Sequence, residues 1–297
     1  MLAALDNSVI FKRAFTDIEV FTCFIKDILG IEIEVDKIEI EKQFASKIGN
    51  IHFVYDIFAE SRDHRIIVEI QKVDYDYNFD RFLHYHMMAV AELQKNAKTY
   101  KIEQTVFTIV VLTAPYTIEQ KTGLPIKDEV LISSVDPRNL KNEMINIYGH
   151  KLIFLNPNYK NAETPANYLD WLDLIYESAH HPDNYTLNLD NPGIKKAVGI
   201  IDYNALTPEI REKMKIDESR KAMIKIMETK GYNKGKVEGK IEGKIEDILE
   251  SLEEKGNVPL ELKKRIENQQ NLEVLKRWFT IACKVESIEE FERQIDG

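Results

Sequence analysis

An α/β fold, with a mixed sheet flanked by helices and a helical extension at the C-terminus, is predicted by three features of the sequence. Apolar residues at helical spacing open the chain, and alternating segments joined by a short polar turn follow. Later come apolar runs of strand length with no polar alternation, which suit strands covered on both faces. After about Pro192 the strand signals stop and the chain becomes helical and highly charged.

Taken in order, residues 8–29 place Ile10, Ala14, Phe15, Ile18, Phe21, Ile25 and Leu29 at helical spacing and stop at Gly30, which suits a left-handed C-cap. Ile31, Ile33, Val35, Ile38 and Ile40 then alternate. Strands are expected over 52–60 and 65–72, with the polar segment 61–64 as their turn. A helix over 80–98, buried strands at 105–112 and 151–155, and a helix over 164–179 complete an α/β domain at 1–195. Residues 196–250 read as a charged helical connector. Residues 251–297 read as a small helical module around Leu262, Ile266, Leu275, Trp278, Phe279, Ile288 and Phe291.

Within the connector, Gly235-Lys-Val-Glu is followed by two Gly-Lys-Ile-Glu repeats. A period of four advances about 400° on a helix, so the Lys and Glu rows stay separate as slowly winding stripes. Three readings stand: a solvated connector, a basic arm, or a self-association helix that would make the chain a homo-oligomer.

A net charge of −10 counts at first against a nucleic-acid partner, but its distribution weakens that objection. Residues 211–244 hold eleven Lys and Arg against six Asp and Glu, a local excess of 5, so the remainder sums to −15. Any nucleic-acid-binding face should therefore be small and localised. No apolar run reaches the ~18 residues of a membrane span, and no apolar leader opens the chain. Cys23 and Cys283 lie far apart in apolar helical patterns and read as reduced core thiols. Together these predict a cytoplasmic protein.

The segment that carries chemistry runs from Val54 to Lys72. A hairpin turning at 61–64 pairs residues whose numbers sum to 125, which sets Asp56 opposite Glu69 with β-carbons ~5 Å apart. Alternation puts Val54, Asp56 and Phe58 on one face of the first strand and Ile67, Glu69 and Gln71 on one face of the second. Facing carboxylates on apolar strands destabilise a sheet unless something binds between them. A divalent cation would compensate, held by Asp56, Glu69, the main-chain carbonyl of Ile70 and water, a set that suits Mg²⁺ or Mn²⁺. The Gln71 amide could then orient an attacking water. Spacing alone leaves a second reading open, that of surface carboxylates on an exposed hairpin face.

The pattern Asp56…Glu69-x-Gln71, with Asn78-Phe79-Asp80-Arg81-Phe82-Leu83-His84-Tyr85 soon after, resembles the PD-(D/E)XK nuclease family transposases. The related recombination-promoting nucleases share the Glu-x-Gln variant and an Arg…Tyr helix. The Phe11-Lys12-x-x-Phe15 start and the Glu-Gly-Lys repeats are similar to the same group. The resemblance implies a restriction-endonuclease-like fold and a Mg²⁺-dependent DNA endonuclease linked to mobile elements, recombination or defence. It makes Asp56 and Glu69 metal ligands and puts Gln71 in the place of the superfamily's usual lysine. Lys72 is adjacent but should point to the other strand face. Arg81 and Tyr85, four apart on a helix, either contact phosphate or brace the sheet. Glu19 either joins the acidic cluster or solvates its helix. The competing function is a non-catalytic DNA-binding or scaffold protein that keeps the nuclease fold, favoured by Gln71 and the negative net charge.

Other chemistries lack their residues. The segment Asp74-Tyr-Asp76-Tyr-Asn78-Phe-Asp80 imitates a Ca²⁺ loop but has Phe79 where the turn needs glycine and Tyr85 where the bidentate glutamate belongs. It reads instead as a solvated loop with Tyr75 and Tyr77 available for stacking. His84 and His86 lie ~200° apart on a helix and cannot share an ion. No P-loop, G-x-S-x-G, C-x-x-C or G-x-G-x-x-G occurs.

Overall fold

The computed structural model describes residues 1–44, 53–71, 79–94, 101–115 and 127–295. They form two compact units, Met1–Glu218 and Ser219–Gly297. No described helix is long and apolar enough to cross a membrane.

In the first unit the expected opening helix is two helices, α1 (Ser8–Phe15) and α2 (Ile18–Leu29). The break has a local cause: the Asp17 side chain accepts hydrogen bonds from the Glu19 and Val20 N–H groups and starts α2 afresh. Gly30, at φ +69°, closes α2. A six-stranded sheet follows in the order β1-β2-β3-β4-β6-β5. Strand β1 (Ile38–Gln43), β2 (Val54–Glu60) and β3 (His64–Gln71) are antiparallel neighbours. Strand β4 (Thr105–Leu112) runs parallel to β3 and to β6 (Lys151–Leu155), and β5 (Val130–Ser134) pairs antiparallel with β6. This mixed sheet with flanking helices is the restriction-endonuclease-like α/β fold.

One face of the sheet, with Ile57, Ile66, Val68, Ile109, Val111 and Ile153, packs in the largest core with residues of α1, α2, α4 (Ala166–His180) and α5 (Pro192–Ile201). Gly193 permits this closure, since a β-carbon there would stand 2.5 Å from that of Cys23 and 3.0 Å from the Trp171 ring. The other face is covered by α3 (Phe79–Ala91) in two smaller clusters around Tyr85 and Phe82. Helix α5 buries Ile194, Ala197 and Ile201, so the first unit continues past residue 195 to Glu218. Strand β5 escaped sequence reading because it is a short edge strand with Ile132 turned to solvent.

The second unit is helical. The C-terminal part of α6 (Pro208–Glu253) packs Ile241, Ile248 and Leu252 with α7 (Leu260–Glu267), α8 (Leu272–Ala282) and α9 (Ile288–Ile295) around Trp278 and Phe291. The isoleucine of one repeat is thus core, which a fully solvated connector would not provide. Cys23 is half-buried as a thiol; Cys283, the C-cap of α8, is exposed and not a core residue.

Arg65 ties the hairpin to α3. It is 2% exposed, donates from Nε and Nη2 to Glu60 at 2.8 and 2.6 Å, and from Nη1 to the Ala89 carbonyl at 2.8 Å. Arg65→Met should lower the unfolding free energy by about 1–3 kcal/mol, because it leaves the buried Ala89 carbonyl without its donor and Glu60 without its cation. Arg65→Lys should recover less than half of that, since one ammonium cannot reproduce the planar fork. Urea unfolding measures both, and an unchanged midpoint for Arg65→Met would mean that the hairpin is anchored elsewhere.

Candidate active site

The β2–β3 ladder pairs Glu60 with Arg65, Ala59 with Ile66, Phe58 with Ile67 and Ile57 with Val68. Beyond that point side chains replace main-chain acceptors. The Asp56 N–H donates to Glu69 Oε1 at 3.0 Å, and the Ile70 N–H donates to Asp56 Oδ2 at 3.2 Å. On the other side of β2, β1 pairs Ile40 with Ile57 and Lys42 with Tyr55. Glu41, between those partners, takes φ +52°, a left-handed value rare for a residue with a β-carbon. The sheet is therefore open around Asp56 on both sides.

This opening corrects one expectation. Strict alternation would put Tyr55 with Ile57, yet Tyr55 joins Phe58 and Ile67 in the cluster under α3, while Ile57 and Ala59 face the opposite core. Strand β2 turns at Asp56, so the face shared by Val54, Asp56 and Phe58 does not continue through the site. The turn lets Asp56 and Glu69 bond crosswise.

The electrostatics follow from burial. Glu69 is 3% exposed, and its pKa is pushed up to about 8, first by burial and then by the charge of Asp56. The Asp56 N–H, Arg81 and Lys12 oppose that rise. Lys12 reaches in from α1: its ammonium lies 3.0 Å from Asp56 Oδ1 and 3.1 Å from Glu41 Oε1. Burial by itself would lower the Lys12 pKa, but the two carboxylates, Asp56 foremost, outweigh it and hold it above the ordinary value.

Gln71 belongs to a neighbouring set. Arg81 donates to Gln71 Oε1 at 3.4 Å and to Tyr85 Oη at 3.3 Å, and its guanidinium lies 5.2 Å from the Tyr85 ring centre. Tyr85 packs edge-on against Phe53 and Tyr55, and its carbonyl accepts from the Tyr55 hydroxyl at 3.1 Å. Of the residues expected from the sequence, Asp56, Glu69 and Ile70 thus meet in one bonded group and Gln71, Arg81 and Tyr85 in another. Lys72 and the 74–78 loop, with Tyr75 and Tyr77, lie outside the described residues. Glu19 is elsewhere, 3.7 Å from Lys196 on the surface of α2.

Two residues of the site were not expected. Lys12 had a signal, a cation beside the buried Phe11, Ala14 and Phe15 of a short helix. Glu41 had none, because Ile-Glu-Ile-Glu reads as ordinary alternation.

Among the described residues no three His, Cys, Asp or Glu side chains converge on one point to hold an ion. Asp56 and Glu69 are the two carboxylates that could share a divalent cation here, with water completing its shell as is common for Mg²⁺. The buried Glu69 fits such an ion, since its raised pKa marks a carboxylate with too little positive charge around it. A cavity of about 680 Å³ lies at the other end of the hairpin, lined by Cys23, Lys26, Glu32 and Arg62, and holds none of these groups.

A family model described as PD-(D/E)XK nuclease family transposase matches residues 7–229, a span that contains both bonded groups. No curated protein and no solved structure matches the chain significantly.

Glu69 predicts a pH dependence in metal-free protein. Its carboxyl keeps a proton up to about pH 8 when folded but only to about 4.5 when unfolded. The folded state therefore binds more protons across that window, and stability falls as pH rises through it. Glu69→Gln should abolish the fall and be the more stable protein at pH 8 in EDTA, by about 1–3 kcal/mol. Urea melts between pH 5 and 9 check this; parallel curves for the two proteins would remove the buried acid from the argument.

Proposed function

Because the chain belongs to the PD-(D/E)XK nuclease family transposases, whose membership points to a nuclease-like function, we propose that it is a divalent-metal-dependent endonuclease hydrolysing DNA phosphodiester bonds. The observation that carries this reading is the crosswise pair, Asp56 and Glu69, bonded through each other's strand where the sheet opens. A buried acid of raised pKa beside a second carboxylate is costly without a ligand.

Asp56 and Glu69 would hold the ion with the Ile70 carbonyl. Mg²⁺ or Mn²⁺ supplies, when bound, a water of lowered pKa and charge stabilisation at the phosphate. The chain's own residues do the rest. Gln71 turns its amide oxygen to Arg81, so its NH₂ group is the part that would donate to a water or to a phosphate oxygen. A neutral amide orients but adds no charge, so positive charge falls to Arg81. Its guanidinium, stacked on Tyr85, suits a planar, two-pronged contact with phosphate. The basic stretch 211–244 would add sequence-independent phosphate contacts. Links to mobile elements, recombination or defence are what the family implies for its biological setting.

A DNA-binding scaffold without catalysis is the second reading, supported by the neutral Gln71 in the lysine's place. Plasmid cleavage separates the two. Asp56→Ala and Glu69→Ala should each reduce Mg²⁺- or Mn²⁺-dependent cleavage by about 100-fold or more, as loss of a metal ligand does. The surface control Asp190→Ala should cleave like the parent, and EDTA should stop cleavage. Retained cleavage by Asp56→Ala refutes the assignment of that residue; a parent that binds DNA but fails to cut it whichever divalent ion is supplied supports the scaffold.

A further inference from the structure

We infer that Lys12 is a resident counter-cation of the Asp56–Glu69 pair, holding the place of a divalent ion and competing with it for the site. The inference rests on the proposed ion site and adds a residue that sets its affinity.

Three observations carry it. The Lys12 ammonium is 3.0 Å from Asp56 Oδ1, an oxygen that would face an ion, while Asp56 Oδ2 is taken by the Ile70 N–H. The Lys12 side chain is 16% exposed, so the contact is poorly screened and unlike a surface ion pair. Finally, the ammonium has a second seat. Glu41, with its side chain 66% exposed, receives it at 3.1 Å and does so from a left-handed backbone that interrupts the β1–β2 ladder opposite Asp56. Strain of that kind persists only where the surroundings impose it.

The two seats explain how one lysine serves both states. Without an ion, Lys12 bridges the inner and outer carboxylates and balances the charge of Asp56 beside the buried Glu69. A dication arriving at the pair repels the ammonium, which needs only to relax toward Glu41, already within bonding distance. Gln71 cannot play this part because an amide carries no charge. A lysine on α1 therefore supplies the sheet opening with a positive charge that the strand position lacks.

The sign of the effect makes it testable. Binding of Mn²⁺ to the full chain is measured by calorimetry at one fixed pH in two buffers of different ionisation enthalpy, which separates proton release from ion binding. Lys12→Met keeps the aliphatic stem and removes the charge, and should bind Mn²⁺ on the order of tenfold more tightly, the scale of a unit charge acting on a dication at a partly screened site. Lys12→Arg keeps the charge and should bind like the parent. A purely structural lysine predicts the reverse for Lys12→Met, with lost order and unchanged or weaker binding, and that result overturns the inference. If Lys12→Met fails to fold, Lys12→Gln takes its place with the same expected gain and the same overturning result. Asp56→Asn and Glu69→Gln separate the two levels of the argument. Loss of Mn²⁺ binding in both, with unchanged affinity in Lys12→Met, rejects the role of Lys12 alone. Parental binding in both rejects the ion site itself.

Discussion

A carboxylate buried within a β-sheet constrains the strands and helices around it in the first unit. Glu69 sits on a strand flanked on both sides by partners, where each polar group must find a bond inside the protein. It accepts the Asp56 N–H, and Asp56 in turn accepts the Ile70 N–H. This exchange satisfies the main chain but leaves two acids side by side. Charge must then come from neighbouring elements, and it comes from two helices: Lys12 on α1 and Arg81 on α3.

The sheet is built to hold that arrangement open. Strand β4 is buried along almost its whole length and gives β3 an unbroken parallel partner up to Gln71. Rigid support on one edge of β3 lets the other edge splay at Asp56 without disordering the hairpin. Arg65, bonded to Glu60 and to α3, anchors the hairpin near its turn. On the outer side the left-handed Glu41 breaks the β1–β2 ladder at one residue only, and pairing resumes at Lys42 with Tyr55. The cost of the irregular site is thus confined to a short stretch between regular ladders.

Gln71 at the end of β3 is neutral, so positive charge near it comes from another element. The Gln71 amide accepts from Arg81, which brings the guanidinium to the end of the strand. The guanidinium is itself fixed by the Tyr85 hydroxyl and ring, and Tyr85 is packed by Phe53 and Tyr55. An aromatic cluster that looks like ordinary core therefore positions a cation. The roles of phosphate contact and sheet brace, which sequence reading posed as alternatives for Arg81 and Tyr85, are compatible in one geometry.

The sequence by itself determined what depends on local pattern. Apolar periodicity marked the helices and β4 and β6, because burial on one stripe or on both faces leaves a direct trace in composition. The register sum of 125 followed from the polar turn at 61–64 and holds as far as Ile57 and Val68, and Asp56 and Glu69 meet one step beyond it through side-chain bonds. Only the tertiary structure decided the rest. The split between α1 and α2 depends on one capping side chain, Asp17, inside an otherwise continuous apolar pattern. Edge strand β5 has too little burial to register as a pattern. The turn of β2 at Asp56, the left-handed Glu41 and the reach of Lys12 join segments 15 to 44 residues apart in sequence. No period along the chain encodes such contacts, since they arise only when helices and strands pack and a buried charge must find its partner.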